Sequence, residues 1–204
     1  MKTHLIIKAL HRDNSFLAQG TNILEKTLIE LNENVIIRDL YKMNFDPVLT
    51  SSDFEQLKKN TLPEDIKHEQ EFIRISDYLW FIFPVWWTNM PAILKGYIDR
   101  IFLSGFAYHM AGDHVQGRLK GKQAIILNSM GESREHYAEL GMFDAIEKTI
   151  DLGILGFCGV GVIAHKYFTS IMSVNKDVRK KYLKDIENLA VLITNEQPVI
   201  IERN

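Results

Sequence analysis

Short runs rich in β-branched and aromatic residues alternate along the chain with longer stretches in which apolar residues recur every three or four positions. That alternation constrains the fold most, because consecutive parallel strands have to be joined by crossover connections long enough to hold a helix. Lys2 to Leu10 reads as a first strand, Asn34 to Asp39 as a second and Tyr78 to Phe83 as a third; Gln123 to Ser129 and Val160 to Phe168 follow as fourth and fifth. The first helical pattern is Ser15 to Asn32, with Leu17, Ile23, Leu24, Leu28 and Leu31 on one side and Asn14 or Ser15 available as a cap. Ser51 to Ser76 is polar and mostly helical, broken near Pro63, where the hydrogen-bond ladder cannot continue. Pro91 suits the first turn of a helix running to Ile101, and Ile93, Leu94, Tyr97, Ile98 and Ile101 share one face of it. Met142 to Phe157 and Asn175 to Asn195 complete the helices. The all-apolar third strand implies burial on both faces, so the expected fold is α/β: a five-stranded parallel sheet covered by helices on both sides. With no Pro/Ser/Gly-rich linker, and 46% of 204 residues hydrophobic, a single domain over residues 1–204 is expected.

Several function classes lose support. A formal charge of −2 gives no electrostatic reason to expect nucleic acid or an anionic membrane surface. The start, MKTHLIIKALHRDNS, has Lys8 interrupting a short apolar run and does not read as a signal peptide, and no stretch approaches the length of a membrane span. The only cysteine, Cys158, rules out an intramolecular disulfide and fits a reducing compartment, so a cytoplasmic protein without membrane insertion is expected. Cys158 lies in an apolar run with no charged sequence neighbour, which reads as a packing residue. His109, Asp113 and His114 lack metal-ligand spacing and read as solvated loop residues.

In an open sheet of order 2-1-3-4-5, ligands bind beyond the carboxyl ends of the strands, at the switch point between strands one and three. Three loops reach it. His11 to Phe16 lacks both the G-x-G-x-x-G and the G-x-x-x-x-G-K-[ST] patterns, but places His11, Arg12, Asn14 and Ser15 at a helix start, which suits either a bound phosphate or ordinary capping. In Pro84 to Met90, Trp86 and Trp87 are either core aromatics or the walls of a crevice for a flat aromatic ligand, and their place just past a strand end favours the crevice. Met130 to Tyr137 offers Gly131, where backbone can approach a ligand, and then polar groups; a surface turn would look similar.

The stretch Phe83-Pro84-x-Trp86-Trp87, then Pro91-Ala-Ile-Leu-Lys-Gly-Tyr-Ile-Asp-Arg100 and Gly105-Phe-Ala-Tyr108, closely resembles the NAD(P)H dehydrogenase (quinone) family, the DT-diaphorase group of flavodoxin-like flavoproteins. Phe45 to Leu49, Gly121-Lys122 and Gly153 to Gly159 extend the resemblance over nearly the whole chain. It implies a flavodoxin-like fold, non-covalent FAD or FMN, hydride transfer from NAD(P)H to a quinone, and a homodimer, for which the aromatic, Met-containing stretch Ile101 to Met110 offers apolar surface. By the same resemblance His11, Ser15 and Phe16 match the phosphate-binding loop, and Pro84, Trp86, Trp87 and Thr88 the loop along the isoalloxazine. Met130, Gly131 and Glu132 match the loop on the flavin's pyrimidine side, and Tyr137 the tyrosine facing the substrate. Two positions depart from the pattern: Leu17 stands where many members have Asn, and Phe143 where the best-known members have a histidine.

The expected activity is therefore a flavin-dependent NAD(P)H:quinone oxidoreductase working by alternating occupancy of one site. Other classes compatible with the resemblance are a regulatory subunit of a potassium efflux system and a flavodoxin-type one-electron carrier. The near-neutral charge and the absence of a T-x-T-G-x-T loop weigh against the carrier.

Overall fold

The computed structural model describes residues 1–59 and 61–195, so residues 60 and 196–204 of the expected domain lie outside the described residues. The strands are β1 Thr3–Lys8, β2 Asn34–Asp39, β3 Tyr78–Pro84, β4 Tyr108–Ala111, β5 His114–Gly117, β6 Gln123–Ser129 and β7 Gly161–Phe168. Five of them form a sheet in the order β2-β1-β3-β6-β7, every pair parallel, which is the expected 2-1-3-4-5 arrangement. The helices are α1 Phe16–Glu30, α2 Ser51–Lys58, α3 Glu64–Ile75, α4 Ala92–Ile101, α5 Arg134–Glu139, α6 Met142–Glu147 and α7 Lys176–Thr194, with a π-helical segment, Lys148–Gly156, continuing α6.

Strand periodicity sorts the core into two halves. Leu5, Ile7, Leu79, Phe81, Phe83, Ala124 and Ile126 point to one face, where α3, α4, α6 and the π-helical segment cover them. Ile6, Trp80, Ile82, Ile125 and Leu127 point to the other, under α1 and α7. Residues Tyr78 to Phe83 are buried throughout because β3 is central and both of its faces are roofed. Ion pairs to the buried Arg100 fix the peripheral pieces: from α4 it binds buried Asp53 of α2 at 3.3 Å, half-exposed Asp65 of α3 at 2.7 Å and the Asp46 carbonyl at 3.0 Å.

Toward the amino end of the sheet lies a closed polar pair. His4 and Trp80 are both fully buried; the indole N–H of Trp80 donates to His4 Nδ1 at 3.0 Å, and the imidazole stacks on Tyr78 at 4.7 Å. Accepting that bond requires neutral His4 to carry its proton on Nε2, an atom buried without a hydrogen-bond partner. Burial pushes the His4 pKa down to about 4, although the charges of Glu33 and Asp77 pull the other way.

The helix ends follow local chemistry. Ser15 Oγ accepts from Ala18 N at 3.2 Å to start α1, and Asn175 caps α7. The break expected near Pro63 separates α2 from α3. Pro91 is the N-cap of α4 and stands one position before the first turn.

Three features differ from the sequence reading. The segment from Tyr108 to Gly117, read as loop, is the β4–β5 hairpin; its four-residue strands are largely exposed and carry little apolar alternation, while Gly112 (φ +64°) makes the turn. The helix expected over Met142 to Phe157 is α-helical only to Glu147, then winds more widely. Wider winding brings the carbonyl five residues back against the side-chain position: a Cβ at Gly153 would meet Lys148 O at 3.1 Å and one at Gly156 would meet Asp151 O at 3.1 Å, so glycines stand where the crowding is greatest. The third difference, α5, belongs to the candidate site. No helix among the described residues is long and apolar enough to cross a membrane.

Candidate functional site

At the carboxyl edge of the sheet, the β1–α1 loop leaves His11, Arg12, Asp13 and Asn14 exposed. The backbone N–H groups of Phe16 and Leu17 open α1 outside its hydrogen-bond ladder, as at any helix start, and are available to an anion. The Phe16 ring itself is in the core, 5.1 Å from Phe168, so its contribution to a site is its backbone. Leu17 is likewise buried, which accounts for an apolar residue there. Beside this loop Lys42 pairs with Asp13 at 3.1 Å, and Lys8 with Asp39 at 2.9 Å.

The second loop leaves β3 at half-buried Pro84, and Val85 N donates to Ser129 O at 2.8 Å, joining it to the end of β6. Trp86 and Asn89 then exchange backbone hydrogen bonds, 2.9 and 3.0 Å, closing a tight turn with Trp87 (φ +51°) and Thr88 (φ +57°) at its centre. Two successive positive φ angles make this a mirror-image turn of the kind usually occupied by Asn-Gly. A β-branched threonine in the left-handed region costs on the order of 1–3 kcal/mol. The Trp87 side chain does not repay it within the chain, being 99% exposed. Trp86, partly exposed, lies 5.2 Å from the His11 ring, so the first and second loops meet.

In the third loop Met130 is buried; its N–H donates to Phe168 O and its carbonyl accepts from Ile171 N, both at 3.0 Å. Gly131 is exposed, and no atom lies within 4 Å of where its Cβ would be. Glu132 turns its carboxylate to Ser133 N at 2.8 Å, and its carbonyl accepts from Ser170 N. Ser133 caps α5, a single short helix that carries Tyr137, so Tyr137 sits on a helix rather than in a loop. Its half-buried ring is 5.6 Å from Phe143. Register places Pro84 opposite Ser129, which brings the roots of the second and third loops together. Among the described residues no hydrogen bond or ring contact joins Tyr137 to the tryptophan loop.

Beneath these loops is a polar cluster that the sequence reading missed. Fully buried Asn128 donates through Nδ2 to Phe83 O at 3.1 Å, and His165 Nε2 lies 2.7 Å from Asn128 Oδ1. His165 Nδ1 lies 2.9 Å from Asp151 Oδ1, and its ring stacks on Tyr167 at 4.3 Å. The sequence signal was available: in AHKYF, His165 and Tyr167 are two apart and therefore share one face of a strand. By contrast Cys158 is buried and burial pushes its thiol up to about 11, which makes it a poor nucleophile at neutral pH.

The Flavodoxin_2 family model, described as Flavodoxin-like fold, matches residues 1–190. The chain is 34% identical over 184 residues to a Haemophilus influenzae protein named an uncharacterized NAD(P)H oxidoreductase, covering 89% of this chain and 90% of that one. It is 30% identical over 218 residues to the mouse ribosyldihydronicotinamide dehydrogenase [quinone], covering 97% and 94%. Among solved structures, the NAD(P)H:quinone oxidoreductase of Methanothermobacter marburgensis superposes with a TM-score of 0.83 at 27% identity, covering 93% of this chain and 97% of that one.

Proposed function

Because the chain belongs to the Flavodoxin_2 family, and its relatives at 27 to 34% identity include enzymes named for NAD(P)H and quinone, we propose that it is a flavin-dependent NAD(P)H:quinone oxidoreductase. The observation that carries the reading is the strained Trp87–Thr88 turn at the switch point, which presents a fully exposed indole beyond the end of β3. Strain of this kind persists where a binding site uses it.

The residues present fit a flavin. The α1 N-terminus with His11 and Ser15 suits its phosphate, and Pro84, Trp86, Trp87 and Thr88 form an apolar wall for its ring. Open space over Gly131, between Met130 and Glu132, leaves room for the polar edge of the ring against backbone. When bound, the flavin supplies the redox chemistry, accepting a hydride from NAD(P)H and delivering it to the quinone. The protein orients the flat partners. In this reading Tyr137, whose ring packs 5.6 Å from Phe143, is the tyrosine toward the substrate, and its hydroxyl donates a hydrogen bond to a quinone oxygen as negative charge develops there. NAD(P)H and quinone compete for the same wall, so each occupies it in turn.

FAD is the flavin in this reading and FMN its alternative. A homodimer and a cytoplasmic location belong to it too; of the stretch Ile101 to Met110, Ile101, Phe102, Leu103 and Ala107 are buried in the chain's own core, and the support for the dimer is the apolar surface of exposed Met110 and Val115 on the β4–β5 hairpin. Initial-rate plots against NADH or NADPH at several quinone concentrations, with protein reconstituted in each flavin, should give parallel lines. Protein that takes up neither flavin, or that is loaded and transfers nothing to any quinone, would remove the proposal.

A further inference from the structure

His165, beneath the carboxyl edge of the sheet, is held at both ring nitrogens. The Phe83 carbonyl accepts from Asn128 Nδ2 at 3.1 Å, which turns the amide oxygen of Asn128 toward His165 Nε2, 2.7 Å away. An amide oxygen only accepts, so Nε2 carries a hydrogen. On the other side of the ring Nδ1 lies 2.9 Å from Asp151 Oδ1 and 3.2 Å from the Tyr167 hydroxyl, whose own proton goes to Glu147 and which is therefore an acceptor toward the ring. An ionised carboxylate also only accepts, so Nδ1 carries a hydrogen as well. Charge balance points the same way. The Asp151 side chain is 14% exposed and that of His165 2%, and a buried carboxylate without a cation is costly. A second carboxylate, Glu147, faces the Tyr167 hydroxyl from α6. Burial, then Glu147 and Asp151, raise the Tyr167 pKa and keep that hydroxyl neutral. Arg134, from α5, acts on this hydroxyl in the opposite sense, so Glu147, Asp151 and Arg134 are the charged side chains around it besides the imidazole in question.

The cluster reaches two of the loops already described. Through Asn128 it grips the carbonyl of Phe83, the residue before Pro84, at the root of the tryptophan loop. Through ring contacts it runs from His165 to Tyr167 at 4.3 Å, to Phe143 at 4.7 Å and to Tyr137 at 5.6 Å. We propose that His165 is held as an imidazolium and is the positioning residue that couples the Trp86–Trp87 loop to Tyr137. The charge state stands on the hydrogen-bond geometry, whereas the effect on turnover rests on the oxidoreductase reading.

The first test is ring-15N NMR of flavin-free protein labelled at histidine, with the His165 signals identified by their loss in His165→Gln or, should that variant not fold, by their shift in Asp151→Asn. At pH 7.5, where an ordinary imidazole has lost its charge, both His165 nitrogens should resonate as protonated. A non-protonated nitrogen at His165 overturns the proposal. The second test is kinetic. His165→Gln keeps a donor toward Asn128 and removes the charge; it should lower the thermal midpoint, because Asp151 loses its cation, yet in the folded protein keep flavin loading while kcat falls about tenfold and the quinone KM moves less than twofold. Asp151→Asn should reproduce that fall, and the double variant should add little to either single change, as expected of residues acting as a unit. Wild-type kcat in folded, loaded His165→Gln, or in Asp151→Asn, removes the positioning role. Failure to bind either flavin would instead sink the oxidoreductase reading, together with the coupling, while the NMR spectrum still decides the charge.

Discussion

Strands β1 and β3 carry one histidine–tryptophan pair and the loops that leave them carry another, and the two pairs have opposite fates. His4 and Trp80, toward the amino end, are fully buried and joined by a 3.0 Å hydrogen bond. His11 and Trp86, in the loops at the carboxyl end, are exposed and meet at 5.2 Å with no hydrogen bond between them; next to them Trp87 has no burial at all. The residue types are the same and the strands are the same. What separates them is cover: α1 and α7 roof the first pair, whereas the described residues leave Trp86 and Trp87 exposed at the switch point, where adjacent crossovers go to opposite faces of the sheet. An aromatic pair is thus a core element or a ligand wall according to where the crossovers leave the sheet open.

The comparison breaks most sharply in stability. Trp80→Ala should cost about 3–5 kcal/mol by deleting a buried aromatic, and it leaves His4 Nδ1 unpaired as well. Trp87→Ala should change stability by less than about 0.5 kcal/mol. Urea unfolding of the two variants measures the contrast, and equal losses would erase it. The next effect is set by pH. An unfolded imidazole gains its proton near pH 6.5 but folded His4 only near 4, so in that window the unfolded chain binds more protons and stability falls as pH falls. The loss is complete below about pH 4 and amounts to roughly 3 kcal/mol. Urea midpoints at pH 7 and 4.5 for wild type and His4→Leu should show the window in the wild type alone; the same slope in both would assign it elsewhere.

Function reverses the ranking. Trp87→Ala should weaken flavin binding about tenfold, about 1.4 kcal/mol, when titrated by fluorescence quenching. Unchanged affinity would make Trp87 a bystander. The smallest effect sharpens the contrast: Thr88→Gly should raise stability by about 1 kcal/mol through relief of the left-handed backbone, while flavin affinity drops because the loop loosens. A destabilised Thr88→Gly variant would mean that the turn carries no strain.

The sheet was legible in the sequence because β3 and β6 are near-continuous apolar runs, and β1 and β7, though interrupted by polar residues, are rich in β-branched and aromatic ones, while the helices between them repeat on one face; periodicity reports burial, and these elements are buried. The β4–β5 hairpin was not, since its residues face solvent and carry no period to read. The π-helical winding was hidden for another reason: Gly153 and Gly156 read as ordinary small residues until the carbonyls five positions back are seen against them. At the site, position relative to strand ends sufficed to single out Trp86 and Trp87. The strained turn that aims Trp87 outward is a backbone property that no residue in WWTN announces. The two-residue spacing of His165 and Tyr167 was readable, but the hydrogen-bond partners that make it a cluster, Asn128 and Asp151, are 37 and 14 positions away, distances at which sequence spacing carries no signal.

The segment from Lys148 to Gly156 ties the buried charge to chain length. A π turn takes up more residues than an α turn, and Asp151 meets His165 from within that slack. Removing one residue between Lys148 and Asp151 would let the helix tighten and carry the carboxylate about 100° around its axis, away from the imidazole. Substitutions in this stretch can be absorbed by repacking, but a deletion cannot. Related chains that keep a histidine at this place in the fifth strand of the sheet should therefore keep the residue count between Met142 and Gly159, even where they share little of its sequence.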